Sequence, residues 1–155
     1  MTALKPPSAK LLLVYFGYTS CPDVCPTTLA DIRNATDKLT PAQRKRVEVG
    51  MVTVDPKRDT SKALPEYLGH FFPGGVVHAY RTTDPARLSR AEKAFGAMHE
   101  IGTPKKNGDY LVAHTAITYV VGSNGDVLVE WPFGTLSADI AFDLRRLLAV
   151  GGKAR

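Results

Sequence analysis

The hydrophobic pattern of the 155-residue chain has two periods, one typical of strands and one typical of helices. Apolar runs and alternating apolar positions predict strands at residues 11–16, 47–54, 76–80, 115–121 and 127–131. Apolar residues three and four apart predict helices at residues 27–39, with a short extension to 46, and at 61–71, 85–97 and 137–148. Asp84 and Ser137 are expected to cap the last two helices.

The order of these elements predicts an α/β protein with a thioredoxin-like fold. Three strand–helix units come first, and a β-hairpin and a final helix follow. Helices join the first strands in parallel, whereas the hairpin adds antiparallel strands. We therefore expect a central mixed β-sheet flanked by helices, with one helix and one strand inserted into the basic thioredoxin-like order.

Size and composition fit a single domain over residues 1–155, with a flexible lead-in at 1–9 and a basic tail at 150–155. The chain is 44% hydrophobic and 23% charged, enough for a sizeable core. Its longest apolar strand is too short to cross a bilayer and its start does not resemble a signal peptide, so we expect a soluble chain. The net charge is +5, and the Lys and Arg residues are scattered along the chain, which favours an acidic protein partner over nucleic acid.

Two cysteines, Cys21 and Cys25, lie at the corner between the first predicted strand and the first predicted helix. If the helical turn begins between them, both sulfurs lie on one face, with about 6 Å or less between their Cβ atoms. The free N–H groups and partial positive charge at a helix start stabilise thiolates and lower their pKa. The pair therefore suits a shared metal ion or a reversible disulfide. Two inert thiols or a structural disulfide are less favoured, because closing so short a loop stabilises little.

His114 directly precedes the strand predicted at 115–121, which runs antiparallel to the first strand, so we expect it to face the cysteines. Ordinary thioredoxin-like redox proteins have a cis-proline at this place, but residues 110–121 contain no proline. Histidine there indicates a third metal ligand; a ring bonded to a backbone carbonyl is the alternative. Two thiolates and one imidazole suit Cu(I) and can also hold Cu(II) or Zn(II), although structural zinc prefers a fourth protein ligand.

Other polar residues near these positions have structural interpretations. Asp23 could ligate a metal, but we expect a local cap or a surface carboxylate. Segment 55–60 is expected to end the preceding strand, with Asp59 or Thr60 capping the next helix. A role for Asp55 in tuning the site or contacting a partner is the less favoured alternative. Surface or packing roles are expected for His70, His78, His99 and Met98.

Three segments resemble the Sco/SenC family of copper chaperones for respiratory oxidases. They are Tyr-Phe-Gly-Tyr-Thr-Ser-Cys-Pro-Asp-Val-Cys-Pro at 15–26, Val-Asp-Pro-Lys-Arg-Asp-Thr at 54–60 and Tyr-Leu-Val-Ala-His-Thr-Ala at 110–116. The resemblance runs from about residue 11 to residue 148. It implies that Cys21, Cys25 and His114 are copper ligands, with Cu(I) or Cu(II) as the cargo.

The resemblance also implies a place of action and partners. Copper would be delivered to, or thiols reduced in, the binuclear copper site of cytochrome c oxidase subunit II, in the periplasm or at the outer face of the cytoplasmic membrane. Family members usually carry a membrane anchor and an early hairpin with a Gly-Lys turn. About ten residues precede the first strand here, so we expect a soluble form without the anchor. We also expect a monomer. A thioredoxin-like reductant is a further expected partner, and a second copper chaperone is another candidate.

Two enzymatic functions compete with copper transport. In a thiol–disulfide oxidoreductase, Cys21 and Cys25 would be the attacking and resolving thiols. Their three-residue spacing and the missing proline argue against general substrate binding, but a reductase for one partner remains open. Residues 24–27 also resemble the peroxidatic segment of peroxiredoxins. That family has Thr or Ser three residues before the cysteine, where this chain has Pro22, so peroxidase activity is disfavoured.

Overall fold

The structure is a computed structural model that describes residues 4–152. The first residues of the predicted lead-in and the last residues of the predicted tail therefore lie outside the described residues. In chain order the elements are β1 (Leu11–Gly17), α1 (Val24–Asp37), α2 (Pro41–Arg44), β2 (Val47–Thr53), α3 (Ala63–Phe71), β3 (Val77–Tyr80), α4 (Pro85–Phe95), β4 (His99–Ile101), β5 (Val112–His114), β6 (Ile117–Val121), β7 (Val127–Pro132) and α5 (Ser137–Ala149).

The central sheet has five strands in the order β3-β2-β1-β6-β7. β2 is parallel to both β1 and β3, whereas β6 is antiparallel to both β1 and β7. This topology confirms the predicted α/β, thioredoxin-like architecture with a central mixed sheet. β3 extends the sheet beyond β2, at one edge.

The strand β1 lies at the centre of the molecule, because helices and loops cover both faces of the sheet there. All seven of its residues are buried, as are all seven of β2, which explains their nearly continuous apolar sequences. Leu11 and Leu13 belong to a core that includes residues of α1, α3 and α5. Leu12 and Val14 belong to a second core with residues of α4. The chain that leaves β1 is therefore held in a fixed position where the cysteines begin.

The helix α1 begins three residues earlier than predicted, at Val24. Cys25 is consequently its second residue, and Pro26 lies inside the first turn. Proline is tolerated there because the first-turn N–H groups have no partner within the helix. Both cysteines thus lie at the very start of the helix, as expected, but Cys25 belongs to the helix itself.

The two predicted helix caps have different outcomes. Asp84 caps α4, because its carboxylate accepts a hydrogen bond from the backbone N–H of Ala86 at 3.0 Å. Ser137 does not cap α5. It is the first helical residue, with Leu136 in the cap position, and its hydroxyl donates to the carbonyl of Asp31 in α1 at 3.1 Å. The Ser137 side chain therefore joins α5 to α1 instead of capping α5.

A second, two-stranded sheet formed by β4 and β5 was not predicted. The two strands are antiparallel, and His99 lies opposite His114. The strand predicted at 115–121 starts two residues later, as β6, and His114 ends β5 instead of directly preceding it. We call β4 and β5 together the ribbon. His114 is held by the ribbon, whereas the cysteines follow the central sheet.

The described part of the expected flexible lead-in contacts the rest of the chain. Pro6 is buried, and Leu4 packs against the second core. The Arg46 side chain donates to the carbonyl of Ala9 at 2.8 Å. Within residues 4–152, every helix is too short or too polar to cross a bilayer.

Candidate metal centre

The side chains of Cys21, Cys25 and His114 converge beyond the carboxyl end of β1. Their ligand atoms all lie within 4.8 Å of one another. Nε2 of His114 is 3.4 Å from Sγ of Cys25 and 4.0 Å from Sγ of Cys21, and both cysteines are free. Among residues 4–152, no other group of three His, Cys, Asp or Glu side chains is close enough to hold a metal ion. The structure therefore brings together the three residues that the sequence singled out.

A close approach at Gly17 allows the cysteines to reach this position. A Cβ atom at Gly17 would lie 2.9 Å from Sγ of Cys25 and 2.8 Å from Cε1 of Tyr15, both too short for ordinary contacts. The missing side chain lets the start of α1 pack directly against the end of β1. There the backbone N–H of Cys25 points at Sγ of Cys21, at 3.4 Å. An N–H in the first helical turn has no partner within the helix, and the Cys21 sulfur accepts this one.

The two cysteines differ in exposure, because the Cys25 residue is buried and the Cys21 residue is half-buried. Burial raises the pKa of the Cys25 thiol to about 12, since a buried thiolate loses its hydration. The expectation that the helix start lowers the pKa of both thiols is therefore wrong for Cys25. The Tyr15 hydroxyl also points at Sγ of Cys25, at 3.7 Å. A metal ion that binds Cys25 has to displace a tightly held proton.

His114 presents one nitrogen to the sulfurs and the other to the backbone. Its Nδ1 lies 3.3 Å from the carbonyl oxygen of Thr115, which can only accept a hydrogen bond, so we assign the proton to Nδ1 and a free lone pair to Nε2. Burial lowers the pKa of His114. The ring is thus neutral at physiological pH, the form that binds metals. The alternative that the histidine bonds a backbone carbonyl is compatible with ligation, because the two nitrogens serve different partners.

Two tyrosine rings hold the imidazole, and sequence reasoning did not assign them a role. Tyr15 and Tyr18 each stand nearly perpendicular to His114, with ring centroids 5.8 and 5.7 Å away. The Tyr18 hydroxyl accepts the backbone N–H of Val112 at 3.1 Å. The available signal was their place in the Tyr-Phe-Gly-Tyr run that leads to the cysteines.

The loop after β2 contains two buried carboxylates, Asp55 and Asp59, and Asp59 bonds the segment that leads to the cysteines. Asp59 is fully buried and accepts hydrogen bonds from the Thr19 backbone N–H at 3.0 Å and the Thr53 hydroxyl at 2.7 Å. It therefore does not cap α3. Thr60 is not in the cap position either, which Lys62 occupies, but its hydroxyl oxygen accepts from the N–H of Ala63. Asp59 instead fastens the segment that leads to Cys21.

The remaining candidates lie outside the group of three. Asp23 is exposed and accepts from the Thr27 hydroxyl at 3.3 Å, a local contact of the expected kind. His78 pairs with Glu48 at 2.7 Å, and His99 pairs with Glu92 at 2.8 Å. His70 and Met98 are exposed. Surface or packing roles account for these residues, as expected.

The sequence matches the protein-family model described as SCO1/SenC over residues 5–149. Among curated proteins, a putative copper-binding protein from Stutzerimonas stutzeri is 33% identical over 115 residues, which are 74% of this chain and 54% of that relative. The chain spans about half the length of the curated relatives that it matches.

Two solved structures are similar over most of the chain. ScoI from Bradyrhizobium japonicum with copper bound is 31% identical, with a TM-score of 0.75 over 90% of this chain and 85% of that one. Apo Sco1 from Thermus thermophilus is 34% identical, with a TM-score of 0.77 over 89% of this chain and 79% of that one. The sequence and the fold thus point to the same group of proteins.

Proposed function

The chain belongs to the SCO1/SenC family, and we propose that it is a copper metallochaperone that binds copper through Cys21, Cys25 and His114. The observation that carries the proposal is the convergence of two sulfurs and Nε2 within 4.8 Å. The copper named for a curated relative and for a solved structure of similar sequence supports the choice of metal.

The donor set fits copper and its transfer. Soft thiolates select Cu(I), and the added imidazole also accommodates Cu(II). Three protein ligands leave room for a ligand from an acceptor protein, so copper can pass by stepwise ligand exchange. Cys21 is the more exposed of the two cysteines, so in this proposal an acceptor approaches from the Cys21 side.

The recipient in this proposal is the binuclear copper site of cytochrome c oxidase subunit II, at the periplasmic or outer face of the cytoplasmic membrane. Both thiols must be reduced to bind copper, so a thioredoxin-like reductant is a necessary partner in an oxidising compartment. A second copper chaperone is the proposed donor. We propose that the chain acts as a monomer with one domain over residues 1–155.

A thiol–disulfide oxidoreductase acting on the same copper site is the second candidate. Two free thiols of unequal exposure, four residues apart, favour it. The Cys21 thiolate would attack a partner disulfide, and one partner sulfur would leave and take up a proton. Cys25, after losing its proton, would attack Cys21 in the mixed disulfide and release the second partner thiol. The partner gains two electrons, this chain becomes a disulfide, and the reductant restores it.

An anaerobic Cu(I) titration tests the main proposal. We expect one Cu(I) per chain and loss of tight binding in Cys25→Ser. In a parallel Cu(II) titration, His114→Ala should bind Cu(II) more weakly and change the copper–thiolate absorption. The matched control is His70→Ala, which removes an exposed histidine from α3. Tight Cu(I) binding that survives Cys25→Ser would refute the copper site.

A second assay separates chaperone from reductase. The reduced, copper-free chain is mixed with an oxidised peptide containing the subunit II copper-site cysteines, and new peptide thiols are counted. The copper-loaded chain is mixed with the reduced peptide, and copper transfer is measured. A chaperone transfers copper without forming peptide thiols, whereas peptide reduction without copper transfer would establish the second candidate instead.

A further inference from the structure

We infer that Asp55, Arg58 and Tyr110, together called the positioning cluster, set the place of His114 relative to the cysteines and thereby govern Cu(II) binding more than Cu(I) binding. The inference rests on the proposed function, because it concerns copper at the same three ligands. None of the three residues belongs to the donor group.

The carboxylate of Asp55 joins the loop after β2 to the segment that leads to β5. It is 2% exposed, and both of its oxygens are bonded. Oδ1 accepts the hydroxyl of Tyr110 at 2.7 Å, and Oδ2 accepts Nε of Arg58. A buried carboxylate that bonds two side chains in this way fixes their positions, because breaking either bond would leave it unsatisfied.

The guanidinium of Arg58 lies between the cysteine segment and the histidine segment. Its carbon is 3.7 Å from the ring centroid of Tyr110 and 5.6 Å from that of Tyr18. Its Nη2 is buried and has no hydrogen-bond partner among the described residues. The group is therefore held by Asp55 and by the faces of two tyrosines, one from each segment.

The chain from Tyr110 to His114 and the hydrogen bond between Val112 and Tyr18 connect these contacts to His114. Tyr110 is two residues before Val112, whose N–H donates to the Tyr18 hydroxyl, and His114 ends the same strand. The ribbon is hydrogen-bonded as a sheet of its own, separate from the central one. The contacts of the positioning cluster, together with the packing of Val112 and Tyr110 in the second core, hold it against the cysteines.

The same loop also holds the cysteine side. Asp59, one residue after Arg58, accepts from the Thr19 backbone N–H at 3.0 Å, two residues before Cys21. One short loop thus fixes both halves of the metal centre. Loss of a contact between this loop and Tyr110 is expected to move His114, whereas the Asp59 contact keeps the two cysteines in place.

Copper chemistry converts this geometry into selectivity between oxidation states. Cu(I) is satisfied by soft thiolates, whereas Cu(II) prefers a higher-coordinate arrangement that includes nitrogen. Displacing His114 therefore costs more affinity for Cu(II) than for Cu(I). The positioning cluster is a structural means of retaining Cu(II).

Tyr110→Phe tests the inference. It removes one hydroxyl and keeps the ring under Arg58, whereas Asp55→Asn alters a buried carboxylate and can unfold the chain. Cu(II) affinity is expected to fall about tenfold, the usual size for a residue that orients a ligand. Cu(I) affinity is expected to change less than about threefold, because both thiolates remain. In the copper-free chain, hydrogen exchange of the Val112 amide should quicken about tenfold.

Tyr119→Phe is the matched control, since the Tyr119 hydroxyl is buried and has no hydrogen-bond partner among the described residues. It should leave Cu(II) affinity and Val112 exchange unchanged. Tyr110→Phe should also have no further effect on Cu(II) affinity in a chain that already carries His114→Ala, because the cluster acts through that ligand.

Three outcomes would overturn the inference while the proposed function stands. They are unchanged Cu(II) affinity in Tyr110→Phe, equal losses for Cu(I) and Cu(II), and a full loss that persists beside His114→Ala. A wild-type chain that binds no copper through Cys21 and Cys25 would overturn the proposed function and this inference together.

Discussion

The hydroxyl of Tyr18 accepts the backbone N–H of Val112 at 3.1 Å, although the two residues are 94 positions apart. Tyr18 precedes the cysteines, and Val112 begins the strand that ends in His114. Both residues are buried, so water cannot replace this bond. It is a direct mechanical link between the thiol half and the imidazole half of the candidate centre.

Tyr18→Phe is expected to destabilise the protein by about 1–3 kcal/mol, because it leaves the buried Val112 N–H without a partner. Urea unfolding followed by the fluorescence of Trp131 measures the change. Tyr119→Phe removes a hydroxyl that has no partner among the described residues and should cost much less. Equal effects of the two substitutions would show that the Tyr18–Val112 bond contributes nothing specific.

The buried imidazole of His114 makes stability fall in acid. Burial lowers the pKa of His114 below the ordinary value of 6.5. As the pH falls, this histidine is therefore protonated in the unfolded chain before it is protonated in the folded chain. This contribution to the free energy of unfolding is present above pH 6.5 and is lost as the pH falls through the lowered pKa. His114→Gln should therefore lose less stability than the parent between neutral pH and about pH 5.

Urea titrations of the copper-free protein at several pH values check this prediction. His70→Gln is the matched control, because it removes an exposed histidine from α3 and keeps His114 in place. The assignment to His114 is wrong if His114→Gln and the parent lose stability in parallel.

The two thiols should react with iodoacetamide at different rates. Cys25 is buried, and its pKa of about 12 keeps it protonated at neutral pH, whereas Cys21 is half-buried. We expect the free thiol of Cys25→Ser to be alkylated at least about tenfold faster than that of Cys21→Ser. Mass spectrometry measures both rates, and unfolding in urea should abolish the difference. Comparable rates in the folded variants would contradict the burial of Cys25.

Gly17→Ala should damage both the fold and the centre. The new methyl would lie 2.9 Å from Sγ of Cys25, and overpacking of this kind costs about 1–3 kcal/mol. Gly69→Ala is the control, because a Cβ atom there meets nothing within 4 Å. In the last turn of α3, alanine in place of this glycine should stabilise the protein by about 0.5–1 kcal/mol. Thermal unfolding and a copper titration of both variants test the pair, and a Gly17→Ala protein that matches the parent in both would refute the close approach.

Sequence patterns predicted the parts of the fold that repeat over many residues. The buried strands β1 and β2 follow from continuous apolar runs, and the long helices follow from their three- and four-residue spacing. The ribbon was missed because strands of three residues are too short to have a period. Helix starts were predicted less accurately. Ser137 is a residue type that often caps helices, but its hydroxyl bonds the neighbouring helix α1 instead.

In the candidate site, the sequence identified the three donor residues but not the residues that hold them in place. Cys21, Cys25 and His114 are chemically distinctive residue types, so the sequence could single them out before any geometry was known. The residues around them are common types whose roles come from contacts across the fold. Asp59 looks like a helix cap in the sequence, and only folding brings it to the Thr19 N–H, 40 positions away. Such contacts leave no local pattern.

The distance along the chain between the ligands has a consequence for biosynthesis. Cys25 and His114 are 89 positions apart, and bringing the ends of so long a segment together costs an unfolded chain about 4 kcal/mol. A nascent chain therefore exposes its two thiols long before the imidazole has been made. The complete set of three donors exists only in the folded protein, so a metal ion held by all three stabilises the native state selectively.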